Sequence, residues 1–361
     1  MSSWQTPCQD GYIFEPGDLD VPTFRPVVSP HLKQNRMGMN VDVKDLRGLC
    51  EQVFGGHGLS EEDSHIVSDV LIEAELRGRP THGVIRVPGI VKRIDEHPRT
   101  AMRLDRDGAA YALIDGQGNL GYLVAHRCAR TVIARTDRSG LGVVGAYNTG
   151  HCGMLGYYTS MLADAGFVAM AMCDTSPRIA PWGGKEAVLG TNPISAAFPM
   201  KGGQVLVDFS SAAITNGELL VAIKDGTEIP EGVALSAEGE VTTDPESALG
   251  GASLPFGGHK GYALAMMIQV MSGALVKGDP VPAPGKNYGF LLMGIDPEIF
   301  GAKDDFLGGV HSLVEQVKNT SRPDSVSEIL VPGERAFRER EMRLSEGIHV
   351  ADDLLREIKR A

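Results

Sequence analysis

From Asp42 onward, apolar residues fall at helical spacing. Leu46, Leu49, Cys50, Val53 and Phe54 make one face, and Gly55-Gly56 predict its end. Ser60, with Asp63 three residues on, predicts a capped start to a second helix. Its face is Ile66, Val67, Val70, Leu71 and Ala74, and Gly78 predicts its stop. The pattern then alternates. Tyr111–Asp115 reads as a strand, and 120–137 as a helix with Leu123, Val124, Cys128 and Val132 inward. Leu141–Tyr147 is a strand without polar alternation, Leu155, Tyr158, Met161 and Leu162 mark a helix, and Phe167–Cys173 is an apolar strand. Apolar strands separated by helices predict α/β units. Ile194–Phe198 and Val205–Phe209 flank Lys201-Gly202-Gly203-Gln204 and predict a hairpin, so the sheet is expected to be mixed. Residues 225–256 read as loop-rich. Residues 260–276 read as an apolar helix with Met266, Met267 and Met271 in the core. A strand at Phe290–Ile295 and helices near 309–319, 335–344 and 351–360 complete the chain. Residues 1–38 carry Pro7, Pro16, Pro22, Pro26 and Pro30 without periodicity and read as an N-terminal extension.

Composition narrows the class. The 361 residues include 34 Lys plus Arg against 46 Asp plus Glu, a formal charge of −12, which disfavours nucleic acid and anionic membranes as partners. It does not exclude a small anionic substrate held by a few cations. Five cysteines with no CxxC pair encode neither a disulfide framework nor a Cys-based zinc site, and a reducing, cytoplasmic setting is expected. No stretch of 18 apolar residues and no signal-like start is present, so a soluble protein is expected.

Gly116-Gln117-Gly118-Asn119-Leu120-Gly121 fits the dinucleotide fingerprint G-x-G-x-x-G between a strand and a helix. The next strand, however, ends in Tyr147-Asn148 and not in the acid that would bind a ribose. A glycine-rich turn capping the helix is therefore the expected reading. A Walker A loop is absent, because Gly257-Gly258-His259-Lys260-Gly261 lacks both the Gly-Lys order and the hydroxyl residue.

Four segments carry candidate chemistry. His82, in Thr81-His82-Gly83 with Arg86 four residues on, suits an oxoacid: a guanidinium forks onto a carboxylate while an imidazole exchanges a proton. A surface histidine beside a salt-bridged arginine is the alternative. His151 lies between glycines past a buried strand, where α/β sheets bind ligands; a cap on the next helix is the alternative. Gly257–Gly261 at a helix start offers N–H groups and Lys260 to a phosphate, or is merely a glycine-rich start with an exposed lysine. The loop Thr175–Asn192, with Trp182, Pro177 and Pro181, reads as a binding loop or a structural lid.

Together these segments resemble the malate/L-lactate dehydrogenases of the second type, the L-sulfolactate dehydrogenase-like oxidoreductases. The matching stretches are Glu75-Leu76-Arg77-Gly78 through Thr81-His82-Gly83-Val84-Ile85-Arg86, His151-Cys152-Gly153, Ala180-Pro181-Trp182-Gly183-Gly184 and Gly190-Thr191-Asn192-Pro193. Val207-Asp208, Gly257–Gly261 and Pro332-Gly333-Glu334 follow in family order, so the resemblance spans about residues 39–350. It implies an α/β fold with a mixed sheet that binds NAD or NADP without a Rossmann domain, in a homodimer or higher homo-oligomer. His82 and His151 match histidines given the acid/base role in different members. Asp208, Phe209, Ser210 and Ser211, then His259 and Lys260, then Gly333, Glu334 and Arg335 match cofactor contacts. The chain departs from the family in having Pro80-Thr81 where Asp-Ser is usual, and Ala212 where Ser is usual.

The expected activity is the NAD(P)-dependent interconversion of a small 2-hydroxy acid and its 2-oxo acid. Arg86 would fix the carboxylate, His82 and His151 would handle the proton, and Thr81, Thr175 and Arg178 would complete the substrate site. Reduction of a cyclic imino acid is the first alternative, and a metal-dependent hydrolase or lyase on His82, His151 and Asp208 the more remote one; no metal is expected. Residues 39–138 plus 300–361 are expected to form a helical substrate and oligomerisation part, and 139–299 a cofactor-binding part.

Overall fold

The computed structural model describes residues 38–97 and 99–361, so the expected N-terminal extension lies outside the described residues except for Gly38. Strand β1 (Gly38–Val41) leads into α1 (Val43–Gly56), where the Asp42 carboxylate accepts the Lys44 N–H at 2.8 Å and caps the first turn. Helix α2 (Glu61–Leu76) starts as its sequence predicts, with Ser60 Oγ accepting the Asp63 N–H at 3.1 Å. Two 3₁₀ turns, Pro80–His82 and Val84–Arg86, then deliver the chain into α3 (Val87–Glu96).

Next come β2 (Arg103–Asp107), β3 (Tyr111–Asp115), α4 (Gly121–Ser139), β4 (Leu141–Thr149), α5 (Leu155–Asp164) and β5 (Val168–Cys173). The predicted hairpin is β6 (Ile194–Met200) and β7 (Gly203–Phe209), paired antiparallel. After it come α6 (Asn216–Asp225), β8 (Ala234–Leu235), α7 (Pro245–Gly250), β9 (Ala252–Ser253), α8 (His259–Ile268) and β10 (Tyr288–Ile295). The chain closes with α9 (Lys303–Lys318), α10 (Glu334–Glu346), β11 (Ile348–Ala351) and α11 (Asp352–Ile358).

The main sheet has seven strands in the order β2-β3-β4-β10-β5-β6-β7. Only β3 and β4 are paired parallel, and β10 enters antiparallel to both β4 and β5, so the sheet is mixed as expected. Helices α4 and α5 bury Val124, Cys128, Val132, Leu155, Tyr158 and Leu162 against Val144, Ala146, Phe290 and Leu292 of the central strands. That core also includes residues of α1, α2, α3 and α11, and Gly38–Ala361 forms one compact unit. The boundary expected at 138/139 therefore crosses a continuous sheet, because β3 pairs with β4 across it.

Two expectations need correction. The loop-rich reading of 225–256 misses α7 and the β8–β9 pair. Helix α6, just before that span, was also missed; these elements surround an apolar cluster of their own made by Ile214, Leu219, Ala222, Ile229, Ala234 and Ala248. The signal for α6 was present in Thr215-x-x-Glu218, which forms a capping box. The apolar helix at 260–276 is interrupted after Ile268 by a π turn, Gln269–Gly273, and Met266 and Met267 are 46% and 43% exposed, not core. No helix among the described residues is long and apolar enough to cross a membrane.

Candidate active site

A cavity of about 370 Å³ opens where the C-terminal ends of β4 and β5 meet the start of α5, the end of β7, the first residues of α6 and the turn that precedes α3. It brings together His82, Arg86, His151, Arg178 and Asp208, with Thr81, Thr175, Phe209 and Ser210 also on its wall.

The turn after Gly78 supplies the first group. Thr81 Oγ1 lies 3.1 Å from His82 Nδ1, which fixes one side of the imidazole. Arg86 Nε donates to the Thr81 carbonyl at 2.7 Å, leaving the forked end of the guanidinium for a ligand. His82 ends the first 3₁₀ turn and Arg86 the second, so their separation is set by the few residues of backbone between them.

His151 sits just past β4, and its ring faces His82 with centroids 5.7 Å apart and planes tilted by 31°. Tyr122 meets it edge-on at 5.8 Å. His151 Nε2 and the Tyr122 hydroxyl are buried without a protein hydrogen-bond partner, and of the two residues His151 lines the cavity. The glycine-rich turn before α4 packs directly under this loop. A Cβ at Gly121 would lie 2.2 Å from the Gly150 carbonyl and 2.4 Å from that of His151. The start of α4 is thus covered by the chain's own backbone, which leaves it no role as a phosphate cradle.

Electrostatics follow from burial among cations. Burial, reinforced by Arg86 and Arg79, pushes the His82 imidazole down to about 4. Burial, with Arg86 and His82, holds His151 well below its ordinary range. Both rings are therefore neutral at pH 7. Arg178 completes a set of three guanidiniums with Arg79 and Arg86. With its amide oxygen turned inward, Asn216 accepts from Arg178 Nε at 3.1 Å.

Asp208 has a structural engagement: it accepts the Gly156 N–H at 2.9 Å in the first turn of α5, and burial raises its carboxyl to about 6. Thr175 Oγ1 accepts the Thr191 N–H at 3.0 Å, joining the two ends of the 175–192 loop. Ser210 donates to the Thr191 carbonyl at 2.9 Å. Arg79, Tyr288 and the α6 residues Asn216 and Gly217 also line the cavity and were missed, because no sequence motif links them to His82 or His151.

Other predicted residues lie away from this cavity. Ser211 is fully buried and donates to the carbonyls of Thr191 and Asn192, so its hydroxyl shapes the loop. Gly333 stacks on Leu206, and Glu334 is held by Lys318 at 2.5 Å, by Arg338 at 2.5 Å and by the Val331 N–H. Arg335 pairs with Glu339 at 3.3 Å. His259 and Lys260 are exposed in the first turn of α8, a few residues past Phe256, which meets the cavity-lining Phe209 edge-on at 5.6 Å. That helix start has no side-chain cap. Gly257 and Gly258 take φ of +59° and +63°, and the Trp182 ring lies against Gly258. Uncapped N–H groups, a lysine and aromatic neighbours fit the phosphate and ring of a dinucleotide. Among the described residues, no three His, Cys, Asp or Glu side chains converge as a metal site.

The chain is similar to several known proteins. Malate/(S)-sulfolactate dehydrogenase of Methanothermus fervidus is 36% identical over 332 residues, covering 89% of this chain and 96% of that protein. Ureidoglycolate dehydrogenase (NAD(+)) of Escherichia coli is 30% identical over 88% of this chain and 94% of its own length. The solved structure of sulfolactate dehydrogenase from Methanocaldococcus jannaschii superposes with a TM-score of 0.83 at 32% identity, covering 89% of this chain and 96% of that one. The profile of the malate/L-lactate dehydrogenase family matches residues 41–359, and the chain belongs to that family.

Proposed function

We propose that this protein is an NAD(P)-dependent oxidoreductase that interconverts a small anionic 2-hydroxy acid and its 2-oxo acid. The observation that carries the reading is a pair of neutral imidazoles enclosed with three guanidiniums in one cavity. The hydride acceptor or donor is supplied by a bound nicotinamide dinucleotide. Phe209, Ser210, His259 and Lys260, with the first-turn amides of α8, would hold it.

The chain's own groups do the rest. Arg86 takes the substrate carboxylate on its forked end. His82, fixed by Thr81 on one side, exchanges a proton with the C2 oxygen, and His151 Nε2 polarises the same oxygen. In oxidation the neutral imidazole accepts the hydroxyl proton. In reduction it must first be protonated, and an arriving carboxylate favours this by offsetting the arginines.

Three guanidiniums exceed what one carboxylate requires. This supports a substrate with a second anionic group, a dicarboxylate or a sulfonate, over a cyclic imino acid with one. The reading takes the enzyme as a cytoplasmic homodimer. The four described cysteines are free thiols, and Met266, Met267, Val270 and Leu275 form an exposed apolar run suited to burial between two copies.

The test is fluorescence titration with NADH and NADPH, followed by a screen of 2-oxo mono- and diacids read at 340 nm. Cofactor binding with turnover of a diacid is expected. Binding of neither nucleotide, or no turnover of any 2-oxo acid, overturns the reading.

A further inference from the structure

We propose that Glu75 is a positioning residue for the acid/base site: reaching from the last turn of α2, its carboxylate holds the Val84 amide and so sets the junction between the two 3₁₀ turns that carry His82 and Arg86 into the cavity. The kinetic part of this inference rests on the activity proposed above; the geometric part does not.

Glu75 is only 5% exposed. Buried carboxylates are expected to be paired, and the neighbouring arginines are engaged elsewhere. Arg77 and Arg340 bind Glu73, and Arg343 donates to the Glu75 backbone carbonyl at 2.5 Å, not to its side chain. The bond its carboxylate makes is to the Val84 N–H, at 2.9 Å.

That amide is the first of the 3₁₀ turn Val84–Arg86, which has no cap from its own flanking residue. Glu75 therefore caps the turn from another helix. Arg86 closes the same turn, its N–H donating to Gly83 O at 3.0 Å, and His82 immediately precedes Gly83.

The fit is close. A Cβ at Gly83 would lie 2.0 Å from Glu75 Oε1 and 2.4 Å from its Cδ. The φ of Gly83 is −92°, outside the left-handed region, and the Glu75 carboxylate occupies the space that a side chain there would need. The basicity of His82 is set by burial, Arg86 and Arg79. Glu75 thus acts through position, and a neutral acceptor of the same shape should replace it.

Three variants test this: Glu75→Ala, Glu75→Gln and Gly83→Ala. Hydrogen–deuterium exchange of peptide 80–88 reads the turn without reference to activity. Glu75→Ala is expected to speed exchange there by about tenfold or more while β4 and β10 keep their protection. Its kcat/KM on a 2-oxo acid should fall about 10–100-fold with NADH affinity retained. Glu75→Gln should stay near wild type in both readouts. Gly83→Ala should resemble Glu75→Ala, and the double variant should be no worse than either single one.

Unchanged exchange at 80–88 in Glu75→Ala overturns the proposal, and so does a Glu75→Gln that falls as far as Glu75→Ala. If Glu75→Ala loses protection throughout, Gly83→Ala decides: faster exchange confined to 80–88 supports the proposal, and unchanged exchange overturns it. A wild-type protein that turns over no 2-oxo acid removes the proposed activity, while the exchange data still judge Glu75.

Discussion

His82 and His151 face each other across 5.7 Å, and only His82 has a hydrogen-bond partner, the Thr81 hydroxyl. Two adjacent imidazoles that both charged would repel each other, and the arginines around them add to that cost. The pair therefore rests neutral, with His151 Nε2 bare.

Replacing either histidine should strike the chemical step. His82→Asn and His151→Asn are each expected to lower kcat by about 10²–10⁴-fold. NADH binding and far-UV circular dichroism should be unchanged. Near-wild-type kcat in both variants would remove the acid/base assignment.

The three arginines should separate by substrate. Arg86→Ala is expected to raise KM for every 2-oxo acid, because it removes the charge-assisted contact to the carboxylate shared by all of them. The loss should be about 2 kcal/mol, roughly thirtyfold. Arg79→Ala and Arg178→Ala should weaken diacids while leaving monoacids nearly unaffected. Equal losses for mono- and diacids would assign these two arginines to something other than a second anionic group.

The depressed His82 fixes the shape of the pH profile. Its base form is present above about 4, so log kcat/KM for hydroxy-acid oxidation should be flat through neutrality, with the acid limb near 4 and not near the ordinary 6.5. In the opposite direction the acid form is required, and log kcat/KM for reduction should fall by about one unit per pH unit between pH 5 and 8. An oxidation limb near 6.5 would mean that the site leaves His82 unperturbed.

Asp174, at the end of β5, gives a stability prediction of the opposite sign. It is fully buried, accepting the Gly289 N–H at 2.6 Å, and burial raises its carboxyl from 3.8 to about 8. Between those values the folded state holds a proton that the unfolded state has released. Its stabilising contribution is complete below 3.8 and is lost as pH rises through 8. Inside that window the loss is about 1.4 kcal/mol per pH unit. Asp174→Asn keeps an acceptor for Gly289 without titrating, so its Tm relative to wild type should climb from pH 5 to pH 8. A constant difference would refute the shift.

Strong periodicity made most of the sheet and its two packed helices readable. The runs Tyr111–Asp115 and Val205–Phe209 are strands, and Ser60 caps α2 as its spacing implies. Order within the sheet was not readable. Nothing local to Tyr288–Ile295 says that this strand inserts between β4 and β5. The histidines and Arg86 were legible because glycines and motif context mark them. Arg79 and Asn216 were not, since their approach to His82 depends on how α2 and α6 pack. The Met266-Met267 pair misled because an apolar helix face exposed on one chain has the same pattern as a buried one.

The late arrival of β10 governs how this chain must be made. Phe290 and Leu292 lie opposite Ala146 and Val144 on one side and Cys173 and Ala171 on the other. Until the ribosome has released them, β4 and β5 each carry an unpaired apolar edge, and the cavity between their ends lacks Tyr288 from its wall. A nascent or truncated chain ending before Tyr288 therefore exposes two adhesive strand edges at once. Folding waits on a long-range closure, and chaperone dependence or aggregation should be concentrated in that interval of synthesis.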